Sequence, residues 1–140
     1  MDDIEAIKQL KARYFRTLDT KDWDGMRRVF TDEATVDTSG SGGPVITGAD
    51  EFIAFVRETL GDRSTVHIGH MPEIELTSES TATGIWSMQD LVQWPDGRDL
   101  RGYGHYHETY EKTDGVWRIA SSRLTRLRMD IRPADAAGAS

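Results

Sequence analysis

From residue 66 to residue 129, polar and apolar side chains alternate with a period of two, and this stretch most constrains the fold. Such alternation belongs to a strand with one face in a core and the other in water. Turn signals interrupt it at Ser78-Glu79-Ser80, at Trp94-Pro95-Asp96-Gly97 and at Asp114-Gly115, the last a strong hairpin dipeptide. Pro95 stands where a strand must end, because proline brings no N–H to the ladder. The spacing predicts strands over residues 66–69, 73–77, 81–94, 102–112 and 116–129. Strands joined by tight turns run antiparallel, and a meander this long has to curl around one apolar face.

The earlier part of the chain is helical. Ile7, Leu10, Tyr14 and Leu18 recur at helical spacing, with Asp2 or Asp3 as cap and Glu5 in the first turn. A second short helix is read over residues 23–30, packing Trp23, Met26, Val29 and Phe30, and a short strand over 34–37. Residues 39–44 are Ser, Gly and Pro and form a loop. Thr47-Gly48-Ala49-Asp50 resembles a capping box with Asp in the usual Glu position. It opens a third helix carrying Phe52, Ile53, Phe55, Val56 and Leu60, stopped by Gly61. Helices first and a meander afterwards make an α+β domain over residues 1–132, with a small, Ala-rich tail at 133–140 expected to be mobile. Helices closing the open side of a curled sheet leave an interior cavity suited to an apolar small molecule.

Composition excludes several functions. A net charge of -7 disfavours nucleic acid or an anionic membrane as main partner. With no cysteine there is neither a disulfide framework nor thiolate chemistry. The acidic opening is no signal peptide and no apolar run approaches a membrane span, so a cytoplasmic protein is expected. Nucleophile elbow, P-loop and dinucleotide fingerprint are all missing from the sequence.

Function shows where polar groups break the apolar pattern. Asp90 shares parity with Trp86, Met88, Val92 and Trp94, so alternation turns it inward unless a bulge re-aims it. A buried carboxylate needs a partner. Asp19 falls in the last turn of the first helix, where the macrodipole disfavours an anion. Either a cation or histidine proton lies near it, or Asp19-Thr20-Lys21-Asp22 is a plain polar turn. His67 lies opposite Val66 and Ile68 in parity, which makes it cavity-lining or exposed; histidine is the side chain best suited to proton transfer near neutrality. Tyr14 lies on the apolar stripe, as core or as a hydroxyl donor at a cavity wall. Arg126 shares parity with Ala120, Ser122 and Leu124 and can point inward, although Arg123, Arg126 and Arg128 together also read as a solvated edge. Trp86, Met88, Tyr103 and His105 are candidate pocket residues. His67 with His70, and His105 with His107, have the spacing of ligand pairs but bring no third ligand, so no metal is expected.

These residues and their surroundings resemble the SnoaL-like proteins of the nuclear-transport-factor-2-like superfamily. The likeness is carried by the opening helix from Ile4 to Asp19, by Trp23 with Phe30-Thr31-Asp32-Glu33-Ala34, by His67-Ile68-Gly69-His70-Met71-Pro72-Glu73-Ile74 and by the Tyr110 to Ile119 hairpin. Within that superfamily the opening helix, the His-x-Gly-His-x-Pro-Glu-Ile stretch and the Thr-Ala-Thr-Gly strand are similar to the bile acid 7α-dehydratases. That resemblance implies functional roles for Tyr14, Asp19, His67, Asp90 and Arg126, a cone-shaped α+β barrel, no cofactor and a homodimer or homotrimer. It also implies loss of water from a hydroxylated steroid or polyketide. His67 would be the base, Asp19 would orient it, Tyr14 and a protonated Asp90 would steady the enolate, and Arg126 would anchor substrate or balance Asp90. An isomerase or cyclase on the same scaffold, and a non-catalytic binding module, are the rival expectations.

Overall fold

The computed structural model describes residues 1–134; residues 135–140, most of the expected tail, lie outside the described residues. The chain forms α1 (Asp3–Asp19), α2 (Trp23–Arg27), β1 (Phe30–Asp37), β2 (Val45–Thr47), α3 (Ala49–Leu60), β3 (Ser64–Leu76), β4 (Thr81–Gln93), β5 (Asp99–Thr113) and β6 (Val116–Arg132). The strands make one six-stranded sheet in the order β2-β1-β6-β5-β4-β3. All neighbours pair antiparallel except β1 and β6, which run parallel. Bulges interrupt the register between Gly69 and Pro72, between Tyr103 and Gly104, and between Thr109 and Tyr110. Each bends its strand and so curls the sheet around the helices. None of the helices among the described residues is long and apolar enough to cross a membrane.

α1 forms as its sequence dictates. The Asp2 carboxylate accepts the Glu5 N–H at 2.8 Å, and the stripe of Ile7, Leu10, Tyr14 and Leu18 is buried. α2 is shorter than the pattern suggested. The Val29 carbonyl accepts the Ile119 N–H at 2.9 Å and Phe30 pairs with Ile119, so the sheet takes Phe30 into β1. The expected capping box does not form. Thr47 is paired with Thr35 in β2, and α3 instead starts from Gly48, which holds φ at 106° and has no side-chain cap. Only glycine enters that region without strain.

The two segments read as separate strands around residue 70 are one strand, β3. Pro72 interrupts neither, because β3 is an edge strand and the bulge beside Pro72 absorbs the missing donor. The turn at Asp114-Gly115 has both residues at positive φ, 51° and 77°, which matches the right-handed twist of the strands it joins.

The core between helices and sheet contains a buried ion pair. Lys11 Nζ lies 2.8 Å from Glu108 Oε2, and both side chains are 0% exposed. The ammonium is sandwiched between the rings of Tyr14 and Tyr106, 3.9 and 3.7 Å from their centroids. Glu108 also accepts from Ser122 Oγ at 2.7 Å and Tyr110 OH at 2.9 Å, and Tyr110 in turn accepts from Trp86 Nε1. Burial drives the Lys11 pKa below its ordinary range, and the charge of Glu108 opposes that shift.

Lys11→Met leaves Glu108 buried without its counter-charge, so the loss expected in urea denaturation is about 3–5 kcal/mol. The Lys11→Met/Glu108→Leu double variant should lose less than the sum of the two single variants. A Lys11→Met protein as stable as wild type would show that the pair is not what holds α1 to β5.

Candidate active site

Asp19 ends α1 beside the start of β3, and the residues there have complementary donors. The Asp19 carboxylate accepts from His67 Nδ1 at 2.7 Å through Oδ1 and from the His67 backbone N–H at 2.7 Å through Oδ2. Thr65 Oγ1 donates to Oδ1 at 3.0 Å, and Lys21 Nζ donates to Thr65 Oγ1 at 2.7 Å. A carboxylate at a helix C-terminus is thus offset by a histidine, a backbone amide and a nearby ammonium. The polar-turn alternative for Asp19 does not describe this arrangement.

The other face of the imidazole looks toward Asp90. His67 Nε2 lies 3.9 Å from Asp90 Oδ2, and the His67 and Asp90 side chains are 7% and 6% exposed. Alternation along β4 is unbroken, so Asp90 points inward with Trp86, Met88 and Val92. It is held by Arg126 in a two-pronged ion pair, Nη1 to Oδ1 at 2.7 Å and Nη2 to Oδ2 at 3.0 Å. Arg126 Nε donates to Ser41 Oγ at 2.9 Å. This geometry presents Asp90 as the anionic partner of a guanidinium, in place of the protonated acid expected from its apolar surroundings.

His67, Asp90, Arg126 and Tyr14 all line a cavity of about 270 Å³. Much of the remaining wall is apolar, with Leu18 from α1, Phe52, Phe55 and Val56 from α3, and Leu100 and Leu124 from the sheet, while Asp37, Thr38, Ser41, Thr59, Arg63 and Ser122 add polar groups. Tyr14 is buried edge-to-face against Tyr106, which also lines the cavity. Burial first, and then the charge of Glu108, push the Tyr14 phenol above its ordinary pKa, so it stays neutral and able to donate. No three His, Cys, Asp or Glu side chains among the described residues are grouped to hold a metal ion.

The five residues expected to act together are brought together, whereas the four expected pocket residues do not line this cavity. Trp86 is buried in the core, donating to Tyr110, and Met88 is buried with its sulfur 3.9 Å from Arg126 Nη1. Tyr103 and His105 have the outward parity of β5, where Gly102, Gly104 and Tyr106 are buried and Tyr103 is exposed. His105 contacts Ser87 and stands beside His107 on that outer side.

A family model described as a SnoaL-like domain matches residues 1–123. The chain belongs to the SnoaL-like domain family. Among solved structures, Kfla4162 of Kribbella flavida is 26% identical to this SnoaL-like chain with a TM-score of 0.85, covering 97% of each chain. A hexachlorocyclohexane dehydrochlorinase, LinA Type2, has a TM-score of 0.83 at 18% identity, covering 92% of this chain and 88% of that one, a likeness of fold. A protein named probable cyclase FGR4, from Gibberella zeae, is 28% identical over 133 residues, 86% of this chain and 89% of its own.

Sequence reasoning missed several residues of this SnoaL-like site. Lys11 and Glu108 carry the signal that exposed Asp90, since each is charged on an otherwise apolar face, and Tyr106 shares the parity of Glu108. Ser41 had no signal, because its loop meets β6 only in the folded chain. Gly102 pairs with Asp90 across β4 and β5, and a Cβ there would overlap both Arg126 Nη1 and Asp90 Oδ1. Its lack of a side chain makes room for the ion pair. Gly102→Ala should therefore cost about 1–3 kcal/mol of overpacking in chemical denaturation. Unchanged stability would mean that the pair yields without cost.

Proposed function

We propose that this protein is a cofactor-independent lyase that eliminates water from an apolar, hydroxylated carbonyl compound of steroid or polyketide type. One observation carries the reading: His67 is oriented by Asp19 through Nδ1, with Nε2 turned toward the cavity. In the neutral ring an Nδ1–H given to Asp19 leaves the lone pair on Nε2, where a base is needed.

The step is an elimination. Nε2 takes the proton from the carbon beside the carbonyl, the C–H electrons become the new double bond, and the bond to the hydroxyl breaks. The proton then passes from Nε2 to the departing oxygen, which leaves as water and restores the imidazole. The transient imidazolium lies between Asp19 and Asp90. Arg126 balances Asp90, so one negative charge beyond neutrality is not stranded in the cavity. Tyr14, kept neutral by burial, donates to the carbonyl oxygen as enolate charge develops. The apolar walls suit a fused-ring or polyketide body and withhold water from the reacting carbon.

His67→Ala should lower turnover by roughly 10²–10⁴, the usual scale of acid–base catalysis. Mass spectrometry on a panel of hydroxylated keto-steroids and β-hydroxy polyketides reads the reaction: wild type should form a product lighter by one water, and His67→Ala should not. A fully active His67→Ala enzyme would sink the mechanism. The likeness to FGR4 favours a second reading, a cyclase using the same base, and its product would keep the mass of the substrate.

A further inference from the structure

Two arginines line the cavity, and they differ in what they touch. Arg126 is committed to Asp90 and Ser41. Arg63 is not committed: its Nε is the one buried side-chain polar atom among the described residues that lacks a hydrogen-bond partner. The nearest carboxylate, Asp62 Oδ1, lies 3.8 Å away on a side chain that is 73% exposed and solvated. The guanidinium lies over the Trp94 ring, 4.8 Å from its centroid. Arg98 lies over the same ring at the same distance but is paired with Asp96. A buried N–H without an acceptor is costly, and such a group is completed by water, an ion or a ligand. The Arg63 side chain is 28% exposed, so its guanidinium is reachable from outside.

We propose that Arg63 is an anion subsite, and that the ligand of this cavity carries a carboxylate at the end remote from His67. Arg63 lies in the bend just before β3, and both it and His67, further along that strand, line the cavity. Arg63 and His67 are four positions apart along the chain, so their Cα atoms are separated by at most about 14 Å. The ligand is then an elongated apolar acid, with its reacting carbon beside His67 and its carboxylate at Arg63. Leu60, Val92 and Leu100, which line the cavity with Arg63 and Trp94, cover its apolar body. Trp94 stacking fixes the guanidinium and leaves its edge for the carboxylate, the two-pronged geometry arginine favours. The proposal adds a substrate class to the elimination described above, yet it concerns binding and is tested without turnover.

The probes are 4-(2-naphthyl)butanoate and its primary amide, alike in shape and differing in charge. Isothermal titration calorimetry on the wild type should show the acid bound about tenfold or more tighter than the amide. Arg63→Gln should abolish that preference, and Arg63→Lys should retain part of it. His67→Ala should keep the preference intact, so a failed elimination mechanism leaves this result standing. Equal affinity for acid and amide in wild type, a preference that survives Arg63→Gln, or no binding of either probe up to millimolar concentration would each overturn the proposal.

Discussion

The carboxylate of Asp19 joins the helical layer to the edge of the sheet, and the cavity depends on that joint. β3 is an edge strand, and its outward backbone N–H at His67 would otherwise face solvent. Asp19 takes that N–H, the imidazole beside it and the hydroxyl of Thr65. One carboxylate thereby closes the sheet edge, fixes where α1 ends, and sets the orientation of a histidine. Structure and chemistry share the same contact, so a substitution at Asp19 affects both.

Behind this joint, the interior holds more charge than a simple apolar pocket requires. Lys11 with Glu108 and Asp90 with Arg126 are each closed ion pairs, buried and further hydrogen-bonded. Such pairs are weak sources of stability, because desolvation cancels much of the attraction. Their effect is on the cavity: each fixes the position of a wall. Lys11 holds Tyr14 against Tyr106 through both ring faces, and Arg126 holds Asp90 opposite His67. Gly102 is the gap that lets the second pair form inside a continuous sheet. In a cavity so balanced, the unpartnered Nε of Arg63 stands out.

Much of this was legible in the sequence because period and parity are local properties. The stripe on α1 and the alternation of β4 are enough to bury Tyr14 and to turn Asp90 inward. Departures arose where a distant partner decides. Phe30 joins a strand because β6 offers it a parallel neighbour, and Gly48 starts α3 because Thr47 is taken by β1. Parity gave the correct face for Trp86 and Met88, but the core, with Tyr110 and Arg126, occupies them. Tyr103 and His105 have the outward parity of β5, which the even-numbered run Gly102, Gly104, Tyr106 and Glu108 makes plain once Glu108 is known to be buried. The roles of Ser41 and Arg63 rest on loops meeting strands, which no local pattern encodes.

The account turns on which nitrogen of His67 carries the proton in its neutral form. Nitrogen-15 NMR of histidine-labelled protein, with His67 assigned by comparison with the His67→Ala variant, reads this directly. The account predicts a protonated Nδ1 coupled to Asp19 and a bare Nε2 facing the cavity. A neutral His67 with its proton on Nε2 would contradict it, because that nitrogen could then take no proton from a substrate.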